Sequence, residues 1–189
     1  MKTISLILIL IATLLFACTP KKDTPVEPTT EISLAGQIAK GEQLVTVLGC
    51  NDCHSPKVMT AMGPVPDSLR LLSGHPANEQ LAPYEKEILK SYVLFNMNST
   101  ATTGPWGTSF AANLTPDPTG IGSWTEAQFL TAMKKGKWKG LENSRNLLPP
   151  MPWQAYSYMP DEDLKAIFAY LKSLKPVKNP VPMAIPPQE

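Results

Sequence analysis

The chain has almost no surplus of either charge: 17 Lys and Arg stand against 16 Asp and Glu, a formal net charge of +1. Proteins that grip nucleic acid carry a basic face, so no nucleic-acid partner is expected. Cysteine is scarce, at three residues in 189, and that odd count excludes a disulfide framework. Two histidines are present. With no second C-x-x-C and no H-x-x-x-H, they do not make up a four-ligand zinc site. No apolar run reaches the about 20 residues that cross a bilayer. Strand-like alternation is missing too, so the expected fold class is all-α. What is plentiful is proline, at 20 residues, which predicts long ordered loops or a tether. With 43% hydrophobic residues the chain still has the means to fold.

The N-terminus reads as an address. Lys2 is followed by an apolar stretch from Ile4 to Ala17, the pattern of an export signal and too short for a comfortable membrane span. It ends in Leu15-Phe16-Ala17-Cys18, which resembles the lipobox of bacterial lipoproteins. That resemblance implies cleavage before Cys18 and lipid on its thiol. Residues 1–17 are then a signal peptide. Residues 18–33 are a lipidated end and tether, rich in Pro, Thr and charge, reaching roughly 45 Å at about 3 Å per residue. The expected location is a bacterial membrane, with the working domain, 34–189, facing the periplasm or cell exterior. A proline-rich tail begins near residue 176.

The other two cysteines form Cys50-Asn51-Asp52-Cys53-His54. C-x-x-C-H is the attachment signature of a c-type haem. Two thiols three residues apart reach the two vinyl groups of one porphyrin, and the adjacent imidazole reaches the iron. One motif predicts one haem. A thioredoxin-like dithiol is the competing reading of Cys50 and Cys53.

Helices are expected on either side. Leu34, Ile38, Gly41, Val45 and Leu48 form one apolar stripe, with Ser33 as a candidate cap. Leu164, Ile167, Phe168, Leu171 and Leu174 form another, opened by Asp161, Glu162 and Asp163 and stopped by Pro176. A third helix is predicted from Trp124 to Lys135, with Ser123 to Glu126 as capping box and Gly136 as stop. A weaker fourth is predicted over 83–97. Residues 55–82 read as an ordered loop.

This arrangement resembles class I cytochrome c: a first helix running into C-x-x-C-H, a late methionine loop, and a last helix containing Ile167-Phe168-Ala169-Tyr170-Leu171-Lys172. In that family a glycine of the first helix meets an aromatic of the last, and Gly41 and Tyr170 match. More narrowly, three segments resemble the cytochrome subunits of bacterial alcohol and aldehyde dehydrogenases. They are Asn113-Leu114-Thr115-Pro116-Asp117, Gly120-Ile121-Gly122 with Trp124, and Leu148-Pro149-Pro150-Met151-Pro152-Trp153. Those subunits carry three haem motifs, and this chain carries one.

His54 supplies one axial ligand. Met151 is the expected second, held among Pro149, Pro150 and Pro152 and about ten residues before the last helix, where the family places its ligand. Met133 on a helix reads as core. Met59 and Met62 lie too near the motif for the family's pattern. Met97, Met159 and the loop residue His75 remain rivals. Lys134, Lys135, Lys137 and Lys139 are either ordinary C-terminal helix lysines or a docking patch for an acidic partner. Trp106, Trp124 and Trp153 are candidates to wall the haem, and Asn113 and Arg145 to meet its propionates. With two strong ligands on iron the resemblance implies an electron carrier rather than an enzyme. Its expected partners are a dehydrogenase or quinol-oxidising complex as donor and a terminal oxidase as acceptor. A haem enzyme or gas sensor with an open sixth position stays the alternative.

Overall fold

The computed structural model describes residues 33–187. The expected signal peptide, Cys18 and the expected tether as far as residue 32 lie outside the described residues.

The first helix forms where the apolar stripe puts it. α1 spans Leu34–Val47, and Ser33 Oγ accepts from Gly36 N at 3.2 Å. Only Gly41 and Val45 of the stripe are fully buried. Leu34 is 67% exposed. Gly49 turns the chain at φ 67, a left-handed value that suits glycine. The short helix α2, Cys50–His54, starts directly after it.

The all-α expectation is corrected here. Between α2 and the next long helix lie two small antiparallel sheets. The first is a hairpin of β1 (Lys57–Thr60) and β2 (Gly63–Pro66), pairing Val58 with Val65. The second contains β3 (Leu94–Phe95), β4 (Ala101–Gly104) and β5 (Gly107–Phe110), in that order. The region 55–82 is thus partly strand. The helix predicted over 83–97 is only a 3-10 turn, Lys86–Lys90, followed by β3. Side chains of β4 are buried on both faces. Four residues without alternation carry no period-2 signal, so nothing in the sequence announces this strand.

α3 spans Glu126–Lys135 and ends at left-handed Gly136. Its capping box is two residues later than predicted: Thr125 Oγ1 accepts from Gln128 N, and Gln128 Oε1 accepts from Thr125 N at 2.9 Å. A short helix α4, Trp153–Tyr156, leads to α5, Asp161–Ser173. Three acids in the first turn of α5 meet the positive end of its dipole. Two of them reach across, Asp163 to Lys40 of α1 and Asp161 to Lys134 of α3 at 2.8 Å.

The core collects Val45 of α1, Phe129 and Met133 of α3, and Leu164, Ile167, Phe168 and Leu171 of α5, joined by Leu72 and Ile121 from loops. Phe129 and Phe168 pack at 5.2 Å between ring centres. α1 crosses α5 at Gly41, where an added Cβ would collide with the Ala166 carbonyl oxygen and stand 2.7 Å from Tyr170 Cβ. After α5 the chain runs back as a strap. Thr108 and Ile185 exchange backbone hydrogen bonds of 2.8 and 2.9 Å, extending the three-stranded sheet. Among the described residues no helix is long and apolar enough to cross a membrane.

Candidate cofactor site

A cavity of about 600 Å3 opens between these elements. That volume lies within the about 300–1,000 Å3 range of cofactor pockets. Cys53 and His54 of α2 line it, and so does Met151 from the loop before α4. Leu114, Ile121, Trp124 and Leu148 supply apolar wall. Cys50 is half-buried and packs against the core, and it is not among the residues that line the cavity.

The chemistry of the donor set fits a haem. His54 donates from Nδ1 to the Ala112 carbonyl at 2.8 Å. This leaves Nε2 with its lone pair free. Burial, the largest influence, holds the imidazole below its ordinary value, with the Ala112 hydrogen bond opposing and Lys57 adding. A neutral ring is the form that ligates iron. Burial also pushes the Cys50 thiol up to about 11, with Asp52 and Cys53 adding to the rise, and raises Cys53 as well. A reactive dithiol needs a thiolate stabilised near neutral pH, so this environment runs against the thioredoxin-like reading.

The short helix that carries the motif is braced at its C-terminal end. Lys57 Nζ donates to the carbonyls of Asn51 (3.2 Å), Asp52 (2.9 Å) and Ser55 (2.5 Å), and to that of Asn98 (3.3 Å). An ammonium there offsets the negative end of the helix. Buried Ser55 accepts from Leu72 N at 2.8 Å and donates to Asn51 Oδ1 at 2.8 Å. None of these braces is legible from the motif alone.

The other predicted residues are sorted by their surroundings. Met133 is core, as expected. Met59, Met62 and Met97 are exposed, and Met159 packs against the core. Met183, which no sequence signal singles out, also lines the cavity, carried there by the strap. Of the three candidate tryptophans only Trp124 lines the cavity; Trp153 packs over Gly136 and Trp106 over Gly104. Trp138 is a further wall residue without a signal in the sequence. Asn113 lines the cavity, but its side chain is already committed. Nδ2 donates to Val177 O at 2.8 Å and Oδ1 accepts from Thr115 N at 2.9 Å. Arg145 also lines the cavity, stacked 5.0 Å over Trp138.

The lysine cluster is not one patch. Lys134 pairs with Asp161, Lys135 pairs with Glu142 at 2.6 Å, and Lys137 reaches Asn146. Lys139 sits 4.7 Å over the Trp138 ring. His75, kept above as a rival ligand, is completely buried and is not among the residues that line the cavity.

The geometry describes a domain of helices and two small sheets in which a C-x-x-C-H turn and a loop methionine share one apolar, cofactor-sized cavity: the class of proteins that hold a haem covalently. The chain belongs to the cytochrome c family, whose family model, Cytochrome c, matches residues 38–175. That membership implies covalently bound haem c. The chain is 29% identical to the fructose dehydrogenase cytochrome subunit of Gluconobacter japonicus over 171 residues, 89% of this chain and 28% of that protein. It is 42% identical to the cytochrome c subunit of an alcohol dehydrogenase (quinone) of Gluconacetobacter polyoxogenes over 78 residues, 40% of this chain and 16% of that one. It is also 42% identical to the gluconate 2-dehydrogenase cytochrome c subunit of Pantoea cypripedii over 67 residues, 35% of this chain and 14% of that one. The matched region thus spans less than a third of the length of each of these relatives.

Proposed function

We propose that this chain is a single-haem electron carrier, anchored to a membrane by lipid on Cys18. The carrying observation is that His54 and Met151 line one cavity, with Cys53 beside them. In this reading Cys50 and Cys53 hold the porphyrin through thioether links, and His54 and Met151 ligate the iron. When bound, haem c supplies a one-electron ferric–ferrous couple, and Met/His ligation places it at a raised potential.

The chain's own residues do the rest. The Ala112 carbonyl orients the His54 ring through Nδ1. Leu114, Ile121, Trp124 and Leu148 exclude water, which lessens reorganisation around a changing charge. With His54 and Met151 both holding the iron, it would keep no open position for a substrate. The relatives are named as cytochrome subunits of dehydrogenases, which supports a dehydrogenase as electron donor. A quinol-oxidising complex is the other donor class, and a terminal oxidase the acceptor class. The lipobox at Leu15 to Cys18 supports export and anchoring, and the lone C-x-x-C-H supports one haem.

The test uses the full chain, produced in cells competent in cytochrome maturation. A pyridine haemochrome assay should give one covalent haem per chain. The ferric spectrum should show the weak thioether band near roughly 700 nm, and mass analysis should find the acyl groups on Cys18. Rapid CO binding by the reduced protein at neutral pH would transfer the chain to the haem enzyme or sensor class.

A further inference from the structure

Completely buried His75 is not used by the electron-carrier reading. It follows Gly74 in a loop segment that lies against the residues facing His54. Gly74 N donates to His54 O at 2.7 Å, and His75 N donates to Ala111 O at 2.9 Å. Ala112 is the next residue, and its carbonyl accepts the hydrogen bond from His54 Nδ1. Three short segments therefore close a ring: His54, Gly74–His75, Ala111–Ala112, and back to His54. The fit leaves no slack, since a Cβ on Gly74 would lie 2.5 Å from Ala111 O and 2.6 Å from Ala112 C.

The His75 ring adds a side-chain tie between this segment and the sheet, beside the backbone bonds from His75 N to Ala111 O and from Ala111 N to Thr100 O. Its Nδ1 meets Thr100 Oγ1, beside β4, at 3.0 Å. Its ring centre lies 4.7 Å from that of Phe110, the last residue of β5 and the one leading into Ala111–Ala112. Thr100 is held in turn, its N donating to Asn96 Oδ1 at 2.8 Å. His75 Nε2 has no partner among the described residues. The ring's polar bonding is therefore concentrated in the single Thr100 contact, while the His75 backbone carbonyl accepts from Asn179 Nδ2 at 2.8 Å.

We infer that His75 is a positioning residue for His54: braced on Thr100 and Phe110, it holds the Ala111–Ala112 backbone so that the Ala112 carbonyl keeps accepting the hydrogen bond from His54 Nδ1. This rests on the reading of His54 as an iron ligand. A hydrogen bond to the far nitrogen of a ligating imidazole makes that ring a stronger donor. Stronger donation favours the ferric state, so His75 lowers the reduction potential from a distance. The type of side chain matters: leucine at 75 fills space but cannot bond Thr100, whereas asparagine places a polar atom where Nδ1 stands.

The experiment compares haem-loaded full-length wild type with His75→Leu, His75→Asn and Thr100→Val. Nitrogen-edited NMR follows exchange of the His54 Nδ1 proton, and a mediator titration follows the potential. His75→Leu and Thr100→Val are expected to speed that exchange roughly tenfold, the order that weakening one buried hydrogen bond produces. Both should move the reduced-to-oxidised ratio several-fold toward reduced at fixed mediator potential, and His75→Asn should restore most of both. Should His75→Leu fail to fold, Thr100→Val carries the test, since it leaves the 73–75 backbone untouched. Exchange and potential unchanged in a fully haem-loaded Thr100→Val overturn the inference alone. Wild type without covalent haem overturns the electron-carrier reading, and this inference with it.

Discussion

Gly41 and Ala166 meet backbone to backbone: a methyl group on Gly41 would collide with the Ala166 carbonyl oxygen. The contact is between two helices that share the core, so neither can retreat without disturbing Val45 or Ile167. Gly41→Ala is expected to cost about 3 kcal/mol or more, the upper end for overpacking, because the obstructing atom is main chain. Urea denaturation of the haem-loaded protein measures it. A loss below about 1 kcal/mol would show that α1 and α5 can part cheaply.

Two methionines, Met151 and Met183, line the cavity. Met151→Ala should keep covalent haem, lose the thioether band, bind CO when reduced, and lower the potential by a sizeable part of the about 0.8 V that axial ligands command. Met183→Leu should change none of these. The reverse pattern in the two spectra would assign the ligand to the strap instead.

Lys57 satisfies three carbonyls at the end of the motif helix. Lys57→Met leaves them without that donor. The expected loss is about 1–3 kcal/mol in stability, with Lys57→Arg milder. Thermal or urea unfolding is the measurement; an unchanged midpoint would mean water replaces the ammonium without cost.

His75 gives the domain an acid sensitivity. Burial, its largest influence, holds it below the ordinary 6.5, with Glu79 opposing. The unfolded chain therefore binds a proton near pH 6.5 that the folded chain refuses until lower pH. Stability from this group is complete above the ordinary value and falls as pH drops through the window down to the folded value, by at most about 1.4 kcal/mol per pH unit. Urea midpoints at several pH values should show a shallower acid slope in His75→Leu than in wild type. Parallel slopes would contradict a neutral, buried His75.

Asn179 anchors the strap. Its Nδ2 donates to Ser73 O (2.7 Å) and His75 O (2.8 Å), and its Oδ1 accepts from Ala77 N at 2.9 Å. Asn179→Ala strands three backbone groups, so a loss of about 1–3 kcal/mol and faster proteolysis after residue 176 are expected. Limited proteolysis with mass mapping checks it. A strap as protected as in wild type would place its anchorage at the Thr108–Ile185 pairing.

What can be seen in the residues alone is local. The stripes at Leu34 to Leu48 and Leu164 to Leu174 announce α1 and α5, because apolar side chains at 3.6-residue spacing need a helix to share one face. Cys50, Cys53 and His54 name their cofactor, because the spacing that reaches one porphyrin is written in five consecutive residues. The strands are illegible: β4, Ala101–Gly104, is buried on both faces and too short to alternate, and β2 contains two prolines.

Tertiary structure decides what depends on distant segments. No local pattern distinguishes Met183 from an idle tail residue, or His75 from a solvated loop histidine. Met183 reaches the cavity because its neighbour Ile185 pairs with the remote Thr108. His75 is buried because Thr100, Phe110 and Asn179 close over it. Spacing along the chain encodes groups that act within a turn or two. A side chain's burial and partners are set by which remote backbone arrives beside it, and that is a property of the folded whole.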